Sequence, residues 1–465
     1  MTPAQNGGAL RIRVGCPRHH RPFRDPIMRD FFVLAIILGA TPICFFRPYF
    51  GILMWTWVAY FNPHRFAWGS AYDFPVAMLI GGATLAGIPF VKDSNRRLFN
   101  LQTLLLLLLW GWFFITYFHA AQDQVLMDHA VDSQQELKRI SKILLMTFLA
   151  IWLVSSKEKL RYLFLVTASS FSFFAIKGAL FSWRSSGEFR VYGPPGSFIE
   201  DNNALGLALN MALPMFYFMA QNEETRWARR FFHLSFFCGI VAVLLTYSRG
   251  ALLGLAVVLI TIALRSRQKV LAGFLLIVCA WAVLAFAPAK WMDRMGNFFH
   301  GNLDNSAELR LNAWQFAYEL AKDYPVTGGG LKTFTHELYR RYTPQLEFAG
   351  PHSIYFQTLG EHGFVGLMLF LLLLGNSFIS LQAIRRQARS FPPIQWMISY
   401  SLMLEIGLLA FAISGAFLEL ANFDLFYQLV ASVAILKILQ REALLASQAQ
   451  AEAGSQLTSG GLIGA

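Results

Sequence analysis

The chain has 465 residues, 55% of them hydrophobic and only 14% charged, with a formal net charge of +12. Apolar runs such as "LQTLLLLLLWGWFFITYF" recur along most of its length, which excludes an ordinary soluble domain and marks a polytopic membrane protein. The basic residues are spread among short segments between the runs, a positive-inside pattern, so the charge does not point to nucleic acid.

Residues 1–27 are basic, contain proline and lack an apolar period; they predict a disordered tail or a start assigned too early, with Met28 leading into a span. Spans are expected near 30–46, 49–61, 74–90, 99–119, 139–155, 160–182, 203–220, 231–247, 250–264, 270–288, 364–382, 395–416 and 424–440. They must be helices, because a bilayer cannot satisfy free backbone groups and the runs lack the alternation of a membrane barrel. Only Arg47-Pro48 separates the first two, which predicts a hairpin of half-spanning helices. Counting back through all of these spans puts the arginine-rich N-terminus outside, against the charge rule, so the first two spans are the ones doubted; the expectation is an all-α fold of about twelve transmembrane helices with both ends cytoplasmic. Its parts are an N-terminal transmembrane region over 28–182, a second over 183–440, and a disordered cytoplasmic tail over 441–465.

Lysine and arginine set the orientation. Segments 91–97, 155–161, 226–230, 265–269 and 385–389 are rich in them and fall on one side if the spans alternate, which makes that side cytoplasmic. Segments 120–137, 183–202 and 289–352, with the span start at Arg249, fall on the other. The loop 289–352 is too long for a simple connector. Within it "SAELRLNAWQFAYELAKDYP" has apolar residues at helical spacing, Asn305 or Ser306 as a cap and Pro325 after its end, predicting an amphipathic helix; "TGGGLKTF" predicts a flexible turn.

Cys16, Cys44, Cys238 and Cys279 lie in the N-terminal tail or in apolar runs, so no disulfide framework is implied. The sequence has no D-x-D on an outer loop, no zinc spacing, no Walker loop and no G-x-S-x-G elbow, which disfavours a metal-dependent glycosyltransferase or an ATP-driven pump. Lys177 and Glu405 fall inside spans, where charge is usually paired, and a Lys177–Glu405 pair is the simplest expectation.

Several polar groups converge on the outer side. Arg249 in "TYSRGALLGL" stands at a span mouth where a snorkelling arginine is not expected, and a guanidinium there can grip phosphate bidentately. Arg190, near Glu188, reads either as a solvated loop residue or as a second such group. Asp201 and Asn203 begin a helix and suit a capping role that would fix the turn aiming Arg190. His352, after Gly350-Pro351, is an interfacial ring or a base. His362, in a glycine-flanked helix start, reads as structural. Arg310, Lys332, Arg340 and Arg341 read as a solvated loop face that could also touch glycan.

In order, "RVYGPPGSFIEDNNALGLALNMALP", "TYSRGALLGL", "ELRLNAWQFAYELAKDYPVTGGGLKTF" and "PHSIYFQTLGEHGFVGL" resemble the O-antigen ligase and polymerase superfamily. "WVAYFNPHRFAWGSAYDFP" further resembles the O-glycosylation ligases associated with the exosortase A system. The chain departs from the commoner family text in "EDNN" and in Ser353 after the histidine. The resemblance implies a GT-C-type membrane glycosyltransferase in the bacterial inner membrane. It would transfer glycan from an undecaprenyl-diphosphate-linked donor to a glycan, lipid or protein acceptor on the periplasmic face, with no cofactor and no metal. It places diphosphate binding on Arg190 and Arg249 and catalysis on His352, with Asp201, Asn203, Ser248 and Ser353 in support. A lipid-linked glycan polymerase would share the donor site. A lipid-linked glycan flippase or transporter is the alternative of another class, but it should show internal repeats and broken midplane helices.

Overall fold

The computed structural model describes residues 26–265 and 305–460 apart from 68, 96–97 and 128–129, together with Gly273 and Met292. The tail before residue 26 and most of the span expected at 270–288 lie outside the described residues. The described chain is helical, with no strand among the described residues. Its order is α1 (Pro26–Phe46), α2 (Pro48–Phe61), α3 (Val76–Ala86), α4 (Leu101–Gln122), α5 (Ala130–Leu153), α6 (Lys157–Arg184), α7 (Asn202–Asn222), α8 (Arg226–Leu244) and α9 (Arg249–Arg265). After these come α10 (Asn305–Asp323), α11 (His336–Tyr342), α12 (Ile354–Ser390), α13 (Met397–Gly415) and α14 (Asp424–Gly460).

Among the described residues seven helices are long and apolar enough to cross a membrane: α1 from Met28, α4, α6, α7, α8, α12 and α13. The expected count of about twelve is therefore not reproduced by length and composition. α2, α3 and α9 are short, and α5 and α14 are interrupted by charge, as at Lys138, Arg139 and Lys142 or at Lys437, Arg441 and Glu442. α14 also continues to Gly460, through most of the segment expected to be a disordered tail.

α7 sits at the centre, buried almost from end to end. Small residues let its neighbours approach, as expected where lipid supplies no hydrophobic drive between helices. A β-carbon at Gly206 would stand 2.6 Å from that of Ala251 on α9, and one at Gly254 on α9 would overlap the Ser414 hydroxyl of α13. Asn210 of α7 donates to the Ala251 carbonyl at 2.7 Å.

Successive helices alternate in direction, which gathers the basic segments at one end. There Arg161 grips Glu223 with two nitrogens, Lys159 meets Asp93 at 2.8 Å, and Arg385 meets Glu405 at 2.8 Å with Arg265 at 3.9 Å. The expected Lys177–Glu405 pair does not form. Lys177 lies about two turns from the opposite end of α6, over the Phe66 ring at 5.3 Å, whereas Glu405 faces the basic end.

The opposite end collects the end of α6, the start of α7, the α8–α9 turn, the start of α12 and the α13–α14 loop. α1 begins there as well, since Asp30 accepts from Gly69 and Ala71 at 3.3 Å and nearby Arg65 packs on Gly196 of the 185–201 loop. The start of α1 and the end of α14 thus lie at opposite ends, contrary to the expectation of both termini on one side. α1 is itself long enough to cross, so the first two helices both enter the alternation.

Candidate functional site

The site forms around the four-residue turn between α8 and α9. Val191 donates its backbone N–H to the Leu245 carbonyl at 3.0 Å, and Asn202 donates its side-chain amide to the Thr246 carbonyl at 2.7 Å. The 185–201 loop is thereby stitched to the turn at both its ends. Between those stitches it doubles back, with Gly193 N–H on the Glu200 carbonyl at 3.1 Å; a β-carbon at Gly193 would strike the Ile199 carbonyl, so only glycine permits the fold-back.

Tyr247 in the turn holds φ at +58°, an uncommon conformation for a bulky residue, and its hydroxyl donates to the Gly187 carbonyl at 2.5 Å. Burial pushes the Tyr247 phenol above its usual pKa, the Arg190 charge acts in the other direction, and Glu188 adds to the rise. Arg190 adjoins Val191, which is bonded to the turn, and Arg249, two residues after Tyr247, opens α9. Ser248 is buried and caps that helix, its hydroxyl accepting from Ala251 N–H at 3.2 Å. Both arginines expected to bind diphosphate flank one turn held rigid by its own hydrogen bonds.

Asp201 caps α7 by accepting from Asn203 and Ala204 N–H at 3.0 and 3.1 Å, while the Asn203 amide donates back to Asp201 at 3.3 Å. Its capping role is as expected from the sequence, and its charge has a second effect. His352, at φ +39°, has part of its ring open to solvent, and its pKa lies below the usual imidazole range. Burial is the main cause, the Arg310 charge adds to it, and Asp201 opposes it. The Asp201 and Arg310 charges thus act on the histidine in opposite directions.

The strained backbone at His352 is over-determined by its surroundings. Trp314 of α10 donates its indole N–H to the Pro351 carbonyl at 3.1 Å and stacks on Phe356 at 4.8 Å, nearly parallel. Tyr339 of α11 donates to the Ala349 carbonyl at 2.7 Å. Ser353 is buried at the N-terminus of α12, yet its side chain makes no capping bond.

α12 is two helices joined at Gly363, where φ is +66°. The "TGGG" segment expected to be flexible is pinned into this break. Gly329 and Gly330 donate to the Gly360 and Glu361 carbonyls at 2.8 and 2.9 Å, and Phe364 donates to Pro325 at 2.8 Å. The break is satisfied by the loop after α10, at the site end of the bundle. About 27 residues remain beyond it, enough to cross a bilayer, so this is not the midplane break of a transporter. His362 lies at the break, buried, with its Nδ1 2.9 Å from the Thr116 hydroxyl and its carbonyl accepting from Trp112 at 3.1 Å. That is a packing role, in line with its structural reading.

A family model described as O-antigen ligase matches residues 234–371. The match supports the O-antigen ligase superfamily, which points to a membrane glycosyltransferase-like enzyme acting on glycans. It takes in Arg249, Arg310, Trp314, His352 and the α12 break. A second model, described as a family of unknown function (DUF5935), matches residues 28–220, which hold Arg190 and Asp201. No curated protein matches the chain.

Two groups at the site carried little signal in the sequence. Arg310 reads there as a solvated loop residue, but its charge acts on His352 and it lies 6.0 Å from the Phe417 ring centroid, while Phe417 closes on Gly250 beside Arg249. The other is Glu419, in the loop after α13, whose carboxylate approaches Gly350. Helical phase could have placed Arg310 with Trp314 on one face, four residues apart; nothing local marks Glu419.

Proposed function

We propose that the chain is an inverting, metal-independent glycan transferase of the O-antigen ligase kind, closest to the O-glycosylation ligases of the exosortase A system. It would work in the bacterial inner membrane, with its site facing the periplasm. The observation carrying this reading is the convergence of Arg190 and Arg249 on one hydrogen-bonded turn at the end of the bundle that also holds His352. The donor is a glycan on undecaprenyl diphosphate, and the acceptor is a hydroxyl on glycan, lipid or protein.

Two guanidinium groups can hold a diphosphate by paired hydrogen bonds, supplying the positive charge that such a leaving group requires. His352, with its pKa held down, is neutral at pH 7 and free to accept a proton. In the reaction the acceptor oxygen bonds to the anomeric carbon as the carbon–oxygen bond to phosphate breaks. The electron pair leaves with the diphosphate, where the arginines stabilise it, and the hydroxyl proton passes to His352.

The test uses the full chain purified in lipid, with an undecaprenyl-diphosphate-linked glycan and candidate acceptors. Glycan transfer with release of undecaprenyl diphosphate is expected, with NMR of the new linkage showing an inverted anomeric centre. Arg190→Ala, Arg249→Ala and His352→Ala should each lose on the order of 10²-fold or more in rate at unchanged protein abundance. A retained anomeric configuration, or full transfer by His352→Ala, overturns the scheme.

A further inference from the structure

Gly350 lies beneath a small space bounded by two ionisable side chains from distant parts of the chain. A β-carbon built on it would stand 2.8 Å from Glu419 Oε2 and 3.9 Å from His352 Nε2. Both side chains therefore lie within 4 Å of one point above Gly350, which glycine alone leaves open. Gly350 itself sits between the Tyr339 bond to Ala349 and the Trp314 bond to Pro351, so the floor of the gap is fixed.

We propose that this space above Gly350 seats the acceptor hydroxyl, and that Glu419 is the positioning residue that stabilises His352 as it takes the hydroxyl proton. The proposal rests on the reading of His352 as the base. The hydroxyl oxygen lies between the carboxylate and Nε2. As it bonds to the anomeric carbon and the diphosphate departs with the electron pair, its proton moves to Nε2. The imidazolium so formed faces Glu419 and loses its proton to solvent through the open edge of the ring once product leaves.

The electrostatics of the pocket need such a group. The Arg310 charge opposes protonation of His352; Asp201 offsets this from the side of α7. A carboxylate near Nε2 lowers the cost of the cation. Glu419 is itself in a mixed field. Burial raises its pKa, Lys332 lowers it and Glu136 raises it. Lys332 is fixed with φ +61° and its N–H on Glu361 at 3.1 Å, and Glu136 is shared with Arg139 at 3.4 Å. The Lys332 backbone is thus anchored to α12, and Glu136 is held on α5.

Three variants of the full chain in lipid test this. In Gly350→Ala the methyl group fills the gap while the flexible Glu419 end yields, so the fold survives; KM for the acceptor should rise roughly tenfold or more with KM for the donor unchanged. Glu419→Gln should lower kcat by about 10²-fold and move the acid limb of the kcat profile to lower pH, because removing a negative neighbour makes His352 harder to protonate. Glu419→Asp should restore part of kcat. An independent reading needs no turnover: the pH midpoint for carbethoxylation of His352, followed by mass spectrometry, should fall in Glu419→Gln. An unchanged acceptor KM in Gly350→Ala, or an unchanged midpoint in Glu419→Gln, overturns the proposal. If the wild-type chain transfers no glycan while the midpoint still shifts, the transferase reading falls and the Glu419–His352 pairing stands.

Discussion

The indole N–H of Trp314 donates to the carbonyl of Pro351 at 3.1 Å, so the helix of the outer loop holds the backbone that presents His352. The same ring stacks on Phe356 one turn into α12. Trp314→Phe keeps an aromatic face for the stack and removes the donor. It should cost only about 1 kcal/mol of stability, the net worth of a hydrogen bond, yet lower kcat by on the order of 10-fold through misplacement of the base. Thermal unfolding and transfer kinetics on the same preparation separate the two effects.

Asn202 ties the start of α7 to the α8–α9 turn, with its amide on the Thr246 carbonyl at 2.7 Å and its side chain buried. It adjoins Asp201, which caps the helix, but its own work is done across the bundle. Asn202→Ala should destabilise by about 1–3 kcal/mol, because the cost of a broken buried pair includes the partner left behind. Donor affinity should fall with it, since Arg249 follows three residues after Thr246. Binding of the lipid-linked donor to inactive His352→Ala protein, with and without Asn202→Ala, reads this directly.

The charges around His352 predict a pH profile with a definite sign. His352 as the proposed base must be neutral, so on that reading activity is complete above its folded-state pKa and is lost as pH falls through it. Because that pKa lies below the usual value of about 6.5, the acid limb of the wild-type profile should lie below that pH. Arg310→Gln removes a positive neighbour and should move the limb to higher pH. Asp201→Asn keeps a good capping side chain but removes a negative neighbour, and should move it to lower pH. Equal displacement of both variants in one direction would contradict the arrangement.

The helices and the site were legible in the sequence to different degrees. Helix positions followed from run length and from caps, as for α10, expected to follow a cap at Asn305 or Ser306 and to end before Pro325, and found over Asn305–Asp323. The convergence of Arg190, Arg249, Asp201 and His352 at one end followed from counting spans and loop charges. Pairing inside the bundle did not: which acid meets Lys177 or Arg385 depends on depth and rotation, and periodicity fixes neither. The same blindness hid Glu419, which sits in a short apolar-flanked loop and gains meaning only from facing Gly350. The glycine run after α10 misled in another way, since glycine serves close backbone approach as readily as mobility.

That close approach makes the last prediction. At the break in α12, Gly363 has φ +66° and ψ −171°, and a β-carbon there would stand 2.6 Å from the Val326 carbonyl. On the other side a β-carbon at Gly328, with φ +61°, would stand 2.5 Å from Gly363 N. Neither clash involves a flexible side chain, so backbone must move. Gly363→Ala combines backbone strain of about 1–3 kcal/mol with loss of the bonds from Gly329, Gly330 and Phe364 that hold the loop. It should lower abundance and thermal stability together. By contrast Gly375, farther along α12, has open space where its β-carbon would go. Gly375→Ala should be neutral or slightly stabilising, because alanine favours the helix by up to about 1 kcal/mol. The contrast between two glycines of one helix, measured by thermal unfolding and by proteolysis within 325–335, distinguishes an interlocked break from a generally fragile helix. Equal effects of the two substitutions would show that the loop does not hold the break.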